Sequence, residues 1–139
     1  MTVEITAPEE PSQDDRAVII RGLVAYNDAT YGPSDIRSLG VLLKDGDATV
    51  GGLWGRTSYG WLFVELLFVP EAMRGQGKGA ELLAQAEEIA RARGCANAWI
   101  DCFGEPNRAF YEGRGFAVFG SIPDHPEGVT RYFLRKSLS

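Results

Sequence analysis

From Ala17 the apolar positions Ile19, Ile20, Leu23, Val24 and then Ala25 or Tyr26 recur at steps of three and four, the spacing of one helix face. Ser12 with Asp15 three residues later resembles a helix start, and Tyr31-Gly32-Pro33 breaks the pattern, so a helix is predicted over about 12–28. Three β-type runs follow at about 38–44, 48–57 and 61–69, joined by Asp45-Gly46-Asp47 and Ser58-Tyr59-Gly60, which carry hairpin chemistry. Residues 76–93 then place Ala80, Leu83, Ala84, Ala86, Ile89 and Ala90 along one helical face, with Gly94 as the C-terminal cap. Beyond it the pattern predicts a strand at 98–103, a short helix at 106–112 and strands at 116–120 and 130–134. With an N-terminal strand ahead of the first helix, the fold class is α/β: a mixed, mostly antiparallel sheet flanked by helices, with a strand–helix–strand unit over 61–103.

Composition narrows the picture. A chain of 139 residues with 45% hydrophobic content is expected to form one domain over 1–139. A net charge of −5 has the wrong sign for binding a polyanion, so nucleic acid is not the expected partner. The longest nearly apolar run, 61–70, is short of a membrane span and contains Glu65. The acidic N-terminus lacks the apolar core of a secretory signal, so a cytoplasmic location is expected. Cys95, Cys102 and a single histidine, His125, make neither a disulfide framework nor a metal site.

The most informative segment is the turn between the third strand run and the long helix, where Gly75, Gly77 and Gly79 alternate. Glycine lets a phosphate approach the main chain, and the free N–H groups of a first helical turn stabilise negative charge. Arg74 and Lys78 flank this turn although a helix N-terminus prefers acids, which points to a negative ligand; Glu81 in the same turn weakens that argument. A Walker A loop is excluded because Gly77-Lys78 is followed by Gly79 and not by a hydroxyl residue. A dinucleotide fingerprint is imitated, with Asp101 standing where a ribose-binding acid would stand, but the glycine spacing differs and the meander does not supply repeated strand–helix units.

Arg74-Gly75-Gln76-Gly77-Lys78-Gly79 fits at each fixed position the Arg/Gln-x-x-Gly-x-Gly/Ala motif of the GCN5-related N-acetyltransferase (GNAT) superfamily, and the run from Asn107 through Phe110-Tyr111 to Gly115-Phe116 is similar to its second motif. The chain therefore resembles that superfamily over its whole element order. The resemblance implies an acetyl-coenzyme A-dependent N-acetyltransferase acting on a primary amine of a small-molecule or peptide-like acceptor. It implies that the backbone of Leu67, Phe68 and Val69 pairs with the acetyl and pantetheine portion. Residues Gly75, Gln76, Gly77, Lys78, Gly79 and Ala80, with Arg74, would hold the pyrophosphate, and Asn107 would bond the pantetheine arm. The plainer readings are a ligand-free turn for the glycines and a helix cap for Asn107. One departure stands out: 29–37 is too short for the second helix the superfamily usually has there, which leaves the acceptor open.

Acetyl transfer needs the ammonium deprotonated, the carbonyl polarised and the departing thiolate protonated. Glu65 is the only charge in a strand whose alternating faces, Trp61/Phe63/Leu67/Val69 and Leu62/Val64/Leu66/Phe68, are both apolar, which marks it as the candidate base; an arginine pair is the plainer alternative. Tyr111 follows Asn107 by four residues on one helix face and matches the superfamily's general acid; a core aromatic is the alternative. Asp101 could orient the acceptor amine, His125 lies in a loop context, and Cys102 has no neighbouring histidine to activate it as a nucleophile. A degenerate module that binds acyl-coenzyme A without turnover is the competing function. Trp54, Tyr59 and Trp61, with the last two strands, offer a homodimer contact, and no metal is expected.

Overall fold

Ser12 caps the first helix as its sequence predicts: its Oγ accepts a hydrogen bond from the Asp15 N–H at 3.0 Å, at the head of α1 (Gln13–Tyr31). The helix runs three residues beyond the expected end, to Gly32, whose φ of 94° closes it while its N–H bonds the Asp28 carbonyl. None of its residues is buried. The computed structural model describes Met1–Ser139 and forms two compact units, Met1–Ser34 and Asp35–Ser139. The expected N-terminal strand does not form; residues 1–12 carry no regular hydrogen-bonded structure, because no neighbouring strand pairs with them. No second helix intervenes between α1 and the first strand.

The second unit holds a six-stranded sheet in the order β1-β2-β3-β4-β6-β5, built from β1 (Arg37–Asp45), β2 (Ala48–Ser58), β3 (Trp61–Phe68), β4 (Asn97–Phe103), β5 (Ala117–Ile122) and β6 (Arg131–Ser137). Every neighbouring pair is antiparallel except β3 and β4, which are parallel and joined by α2 (Lys78–Ala92). This topology excludes a doubly wound nucleotide fold, which needs a run of parallel strands. Between β4 and β5 lies α3 (Glu105–Glu112), and a short 3₁₀ turn, Glu71–Met73, which the sequence pattern does not reveal, links β3 to the glycines.

The core lies on one sheet face. Leu62 and Val64 of β3, Ala98, Ile100 and Cys102 of β4 and Leu134 of β6 pack against Leu82, Leu83, Ala86 and Ala90 of α2 and Tyr111 of α3. Glu87 of α2 is buried too, but its carboxylate is met by Lys136 of β6 at 2.7 Å, which removes the cost of an unpaired buried charge.

The register of β3 departs from simple alternation. Gly55 of β2 pairs with Val64 and Trp54 with Leu66, so Glu65 is the extra residue of a β-bulge. Before the bulge, Leu62 and Val64 are buried; after it, Leu66 and Phe68 are 65% and 55% exposed, while Leu67 and Val69 pack against the core. The two faces expected from strict alternation are thus exchanged beyond Glu65, because one inserted residue flips every side chain that follows. Gly55 makes room for this irregularity: a Cβ there would lie 2.4 Å from the Phe63 carbonyl oxygen.

Candidate active site

β3 and β4 pair only from Trp61/Asn97 to Val64/Ile100 and then separate, leaving a cleft toward α2 and α3. A cavity of about 460 Å³ there is lined by Leu67, Phe68, Val69, Arg74, Gly79, Asn107, Phe110 and Tyr111. A second, of about 280 Å³, shares Val69, Arg74, Gly79 and Phe110 with it and extends past Met73, Gly75, Gly77, Lys78, Ala80 and Arg114. Two stretches separated by 33 residues in the chain therefore meet around one continuous groove, because the bulge turns Leu67 and Val69 to the α3 side.

At the second cavity Gly77 is the N-cap of α2 in the left-handed conformation, with φ of 76°, and carries no side chain to cap the helix. The first helical hydrogen bond runs from Glu81 N–H to the Gly77 carbonyl, so the N–H groups of Lys78, Gly79 and Ala80 are free of helical partners and point, with the positive end of the helix dipole, where an anion is favoured. Gly79 serves a second purpose, since a Cβ there would come within 3.3 Å of the Phe110 ring. Arg74 donates from Nε to the Val69 carbonyl at 2.9 Å, keeping its remaining donors over the groove. Lys78 pairs with Glu81 at 3.4 Å. Gln76 lines neither cavity and folds back toward the Ala72 carbonyl. Arg114, unremarked in the sequence, adds a cation at the far wall, 5.7 Å from the Phe110 ring centroid.

Asn107 is not the cap of α3, which is Gly104. Its Nδ2 donates to the Phe103 carbonyl at 2.7 Å, tying the helix to the end of β4 and leaving Oδ1 as an acceptor at the groove. Tyr111 is 7% exposed; burial raises its phenol well above the ordinary range, and the nearby Cys102 and Asp101 push the same way. It stays protonated at any working pH, and the residue lines the cavity, so a donor is available at the cavity wall. Cys102 is buried, and burial with the Asp101 charge pushes its thiol up to about 11, which disqualifies it as a nucleophile near neutral pH.

Glu65 lines neither cavity; it lies on the opposite sheet face, at the point where β3 and β4 part. It is not the enclosed, isolated carboxylate that a doubly covered strand predicts. The side chain is 30% exposed and Arg56 Nη1 meets Oε1 at 2.8 Å, because α2 and α3 cover only the other face. The stack of Phe63 on Trp99, centroids 3.9 Å apart, shows that these two strands project in step on this face. Asp101, two residues past Trp99, thus stands across the gap from Glu65, and it is ion-paired with Arg131. Neither arginine carries a sequence signal of its own; only strand register brings them to the site. His125 sits in the β5–β6 loop, its ring 6.0 Å from that of Phe103.

A parted parallel strand pair leading to a glycine-rich helix N-terminus is the geometry of an acyl-transfer fold, and comparison with known proteins agrees. The model of the acetyltransferase (GNAT) family matches residues 4–116. The chain belongs to this family. It is 50% identical over 115 residues to the acetyltransferase Atu2258 of Agrobacterium fabrum, covering 82% of this chain and 84% of that one. It is 39% identical over 89 residues to blasticidin-S acetyltransferase of Streptomyces morookaense, covering 63% and 65% respectively. Among solved structures, a candidate acetyltransferase from Agrobacterium tumefaciens superposes with a TM-score of 0.91 at 42% identity, over 97% of this chain and 99% of that one.

Proposed function

We propose that this acetyltransferase moves the acetyl group of acetyl-coenzyme A directly to a primary amine of a small-molecule or peptide-like acceptor. The observation that carries this reading is the parting of β3 from β4: one side of the gap opens into the groove ending on free helix N–H groups, and the other side carries Glu65. The pyrophosphate would rest on the N–H groups of Lys78, Gly79 and Ala80, with Arg74 and Arg114 balancing its charge. The unpaired edge of β3 at Leu67 and Phe68, with the backbone of Val69 just beyond it, would hold the pantetheine arm with Asn107, placing the thioester beside Tyr111.

Glu65 takes a proton from the acceptor ammonium, directly or through water, and the freed amine attacks the thioester carbonyl carbon. The C–N bond forms, the C–S bond breaks, and a proton lost by the amine nitrogen ends on the departing thiolate. A phenol held as firmly protonated as Tyr111 supports that step by donating a hydrogen bond to the sulfur while keeping its own proton. With Cys102 unreactive, no acyl-enzyme intermediate is needed.

Two measurements test this. Acetyl-coenzyme A at 100-fold above its dissociation constant should stabilise the fold by about 2.7 kcal/mol, with far smaller shifts from NAD or ATP. A screen of amines should release coenzyme A thiol. Equal stabilisation by NAD overturns the coenzyme assignment, and binding without thiol release from any amine makes the chain a binding module.

A further inference from the structure

The open sheet face carries four charges in a row across four strands: Arg56 on β2, Glu65 on β3, Asp101 on β4 and Arg131 on β6. Each carboxylate spends one oxygen on its arginine. Glu65 Oε1 accepts from Arg56 Nη1 at 2.8 Å, and Asp101 Oδ2 accepts from Arg131 Nε at 2.7 Å and from its Nη2. Glu65 Oε2 and Asp101 Oδ1 have no protein partner, and they stand on the two strands at the place where pairing ends and the acyl cleft begins.

The two arginines differ. Arg131 is held by its bond to Asp101 and by the rings of Phe103 and Phe133, each 5.4 Å from its guanidinium carbon. Arg56 also lies over a ring, that of Phe63 at 4.9 Å, but it spends a single N–H donor and its side chain is 46% exposed, so the remaining donors of its planar fork stay open to a ligand carboxylate. Within this row two positive and two negative charges cancel, and Arg135 of β6 adds a further cation along the same face, opposite Trp99. A simple amine therefore gains no net attraction here, while a ligand carrying both signs finds a partner for each.

We infer that the acceptor is a small amino-carboxylate, its ammonium held between Glu65 and Asp101 and its carboxylate on Arg56. This rests on the acyl-transfer reading of the same site. The acceptor carboxylate takes over the Arg56 fork and releases Glu65 from its ion pair, so that the base is freed when a matching acceptor is in place. Neighbouring strands lie about 5 Å apart, which favours an amine and a carboxylate separated by two or three carbons over an α-amino acid.

The test compares 4-aminobutyrate with its amide and with butylamine as acceptors. The wild type should prefer the acid by tenfold or more in kcat/KM, expressed mainly in KM, as loss of a charged hydrogen bond predicts. Arg56→Met should bring acid and amide together, and Arg56→Lys, which keeps the charge but loses the fork, should restore part of the preference. Quenching of tryptophan fluorescence, titrated with acid or amide in the presence of coenzyme A, reports acceptor binding without turnover and should show the same order. Equal behaviour of acid and amide in the wild type, or a preference that survives Arg56→Met, overturns the inference. Discrimination in binding with no thiol released sustains the acceptor site and sinks the transfer reading instead.

Discussion

At the scale of single residues, the proposed chemistry rests on two groups on opposite sides of one strand gap, the Glu65 carboxylate and the Tyr111 hydroxyl. Tyr111→Phe deletes one hydroxyl and leaves the ring packed against Phe110 and Phe116. Thermal stability and coenzyme binding should therefore hold to within about 1 kcal/mol, while acetyl transfer slows by roughly 10²–10³-fold, the usual loss for one donor to a developing anion. A donor whose leaving thiol is intrinsically more acidic needs less help at sulfur. It should partly rescue Tyr111→Phe and do nothing for Glu65→Gln, which lacks the basic oxygen. Equal rates for wild type and Tyr111→Phe would reduce the tyrosine to a core aromatic.

At the scale of elements, the bulge in β3 decides what the site looks like. It leaves Glu65 on the open face with Phe63 and returns Leu67 and Val69 to the cleft, and Gly55 permits it by giving the Phe63 carbonyl oxygen room. Gly55→Ala puts a Cβ against backbone that cannot turn aside, so it should cost about 1–3 kcal/mol in a urea melt. It should also lower transfer more than coenzyme binding, because the helix N-terminus lies elsewhere. Gly79→Val should reverse that order: its added atoms crowd Phe110 and the anion site, so the acetyl-coenzyme A stabilisation should vanish. Matching profiles for the two variants would show that the bulge and the cradle are not separate devices.

For the whole molecule, acid groups raised by burial in the core, Cys95, Cys102 and Tyr111, shape the response to pH. The folded state holds the Cys102 proton up to about 11 and keeps Tyr111 protonated higher still, whereas the unfolded chain releases the thiol proton from about pH 9. The unfolded state thus binds fewer protons in that window. Stability from this source is intact below about pH 9 and declines as the pH rises toward 11. Urea midpoints measured at pH 8, 9.5 and 11 should fall in that order, and Cys102→Val should flatten part of the decline. A midpoint insensitive to pH across this range would place the thiol in water.

The division between sequence and tertiary structure follows from the range of the forces involved. Helix capping at Ser12, the hairpin turns, the amphipathic face of α2 and the glycine motif before it are short-range chemistry, and all were legible along the chain, as was the family resemblance. That 1–12 forms no strand was not legible, because strand formation there depends on a distant pairing partner and the sheet supplies none. Strict alternation assigns the wrong faces to β3 beyond Glu65, since the bulge exists only in the register with β2 and leaves no mark in the residues' own periodicity. The same holds for the charge row: Arg56, Glu65, Asp101 and Arg131 are scattered over 76 residues and meet because four strands lie side by side. Local periodicity determined which segments form strands and helices; only strand order and register decided which of their side chains share a site.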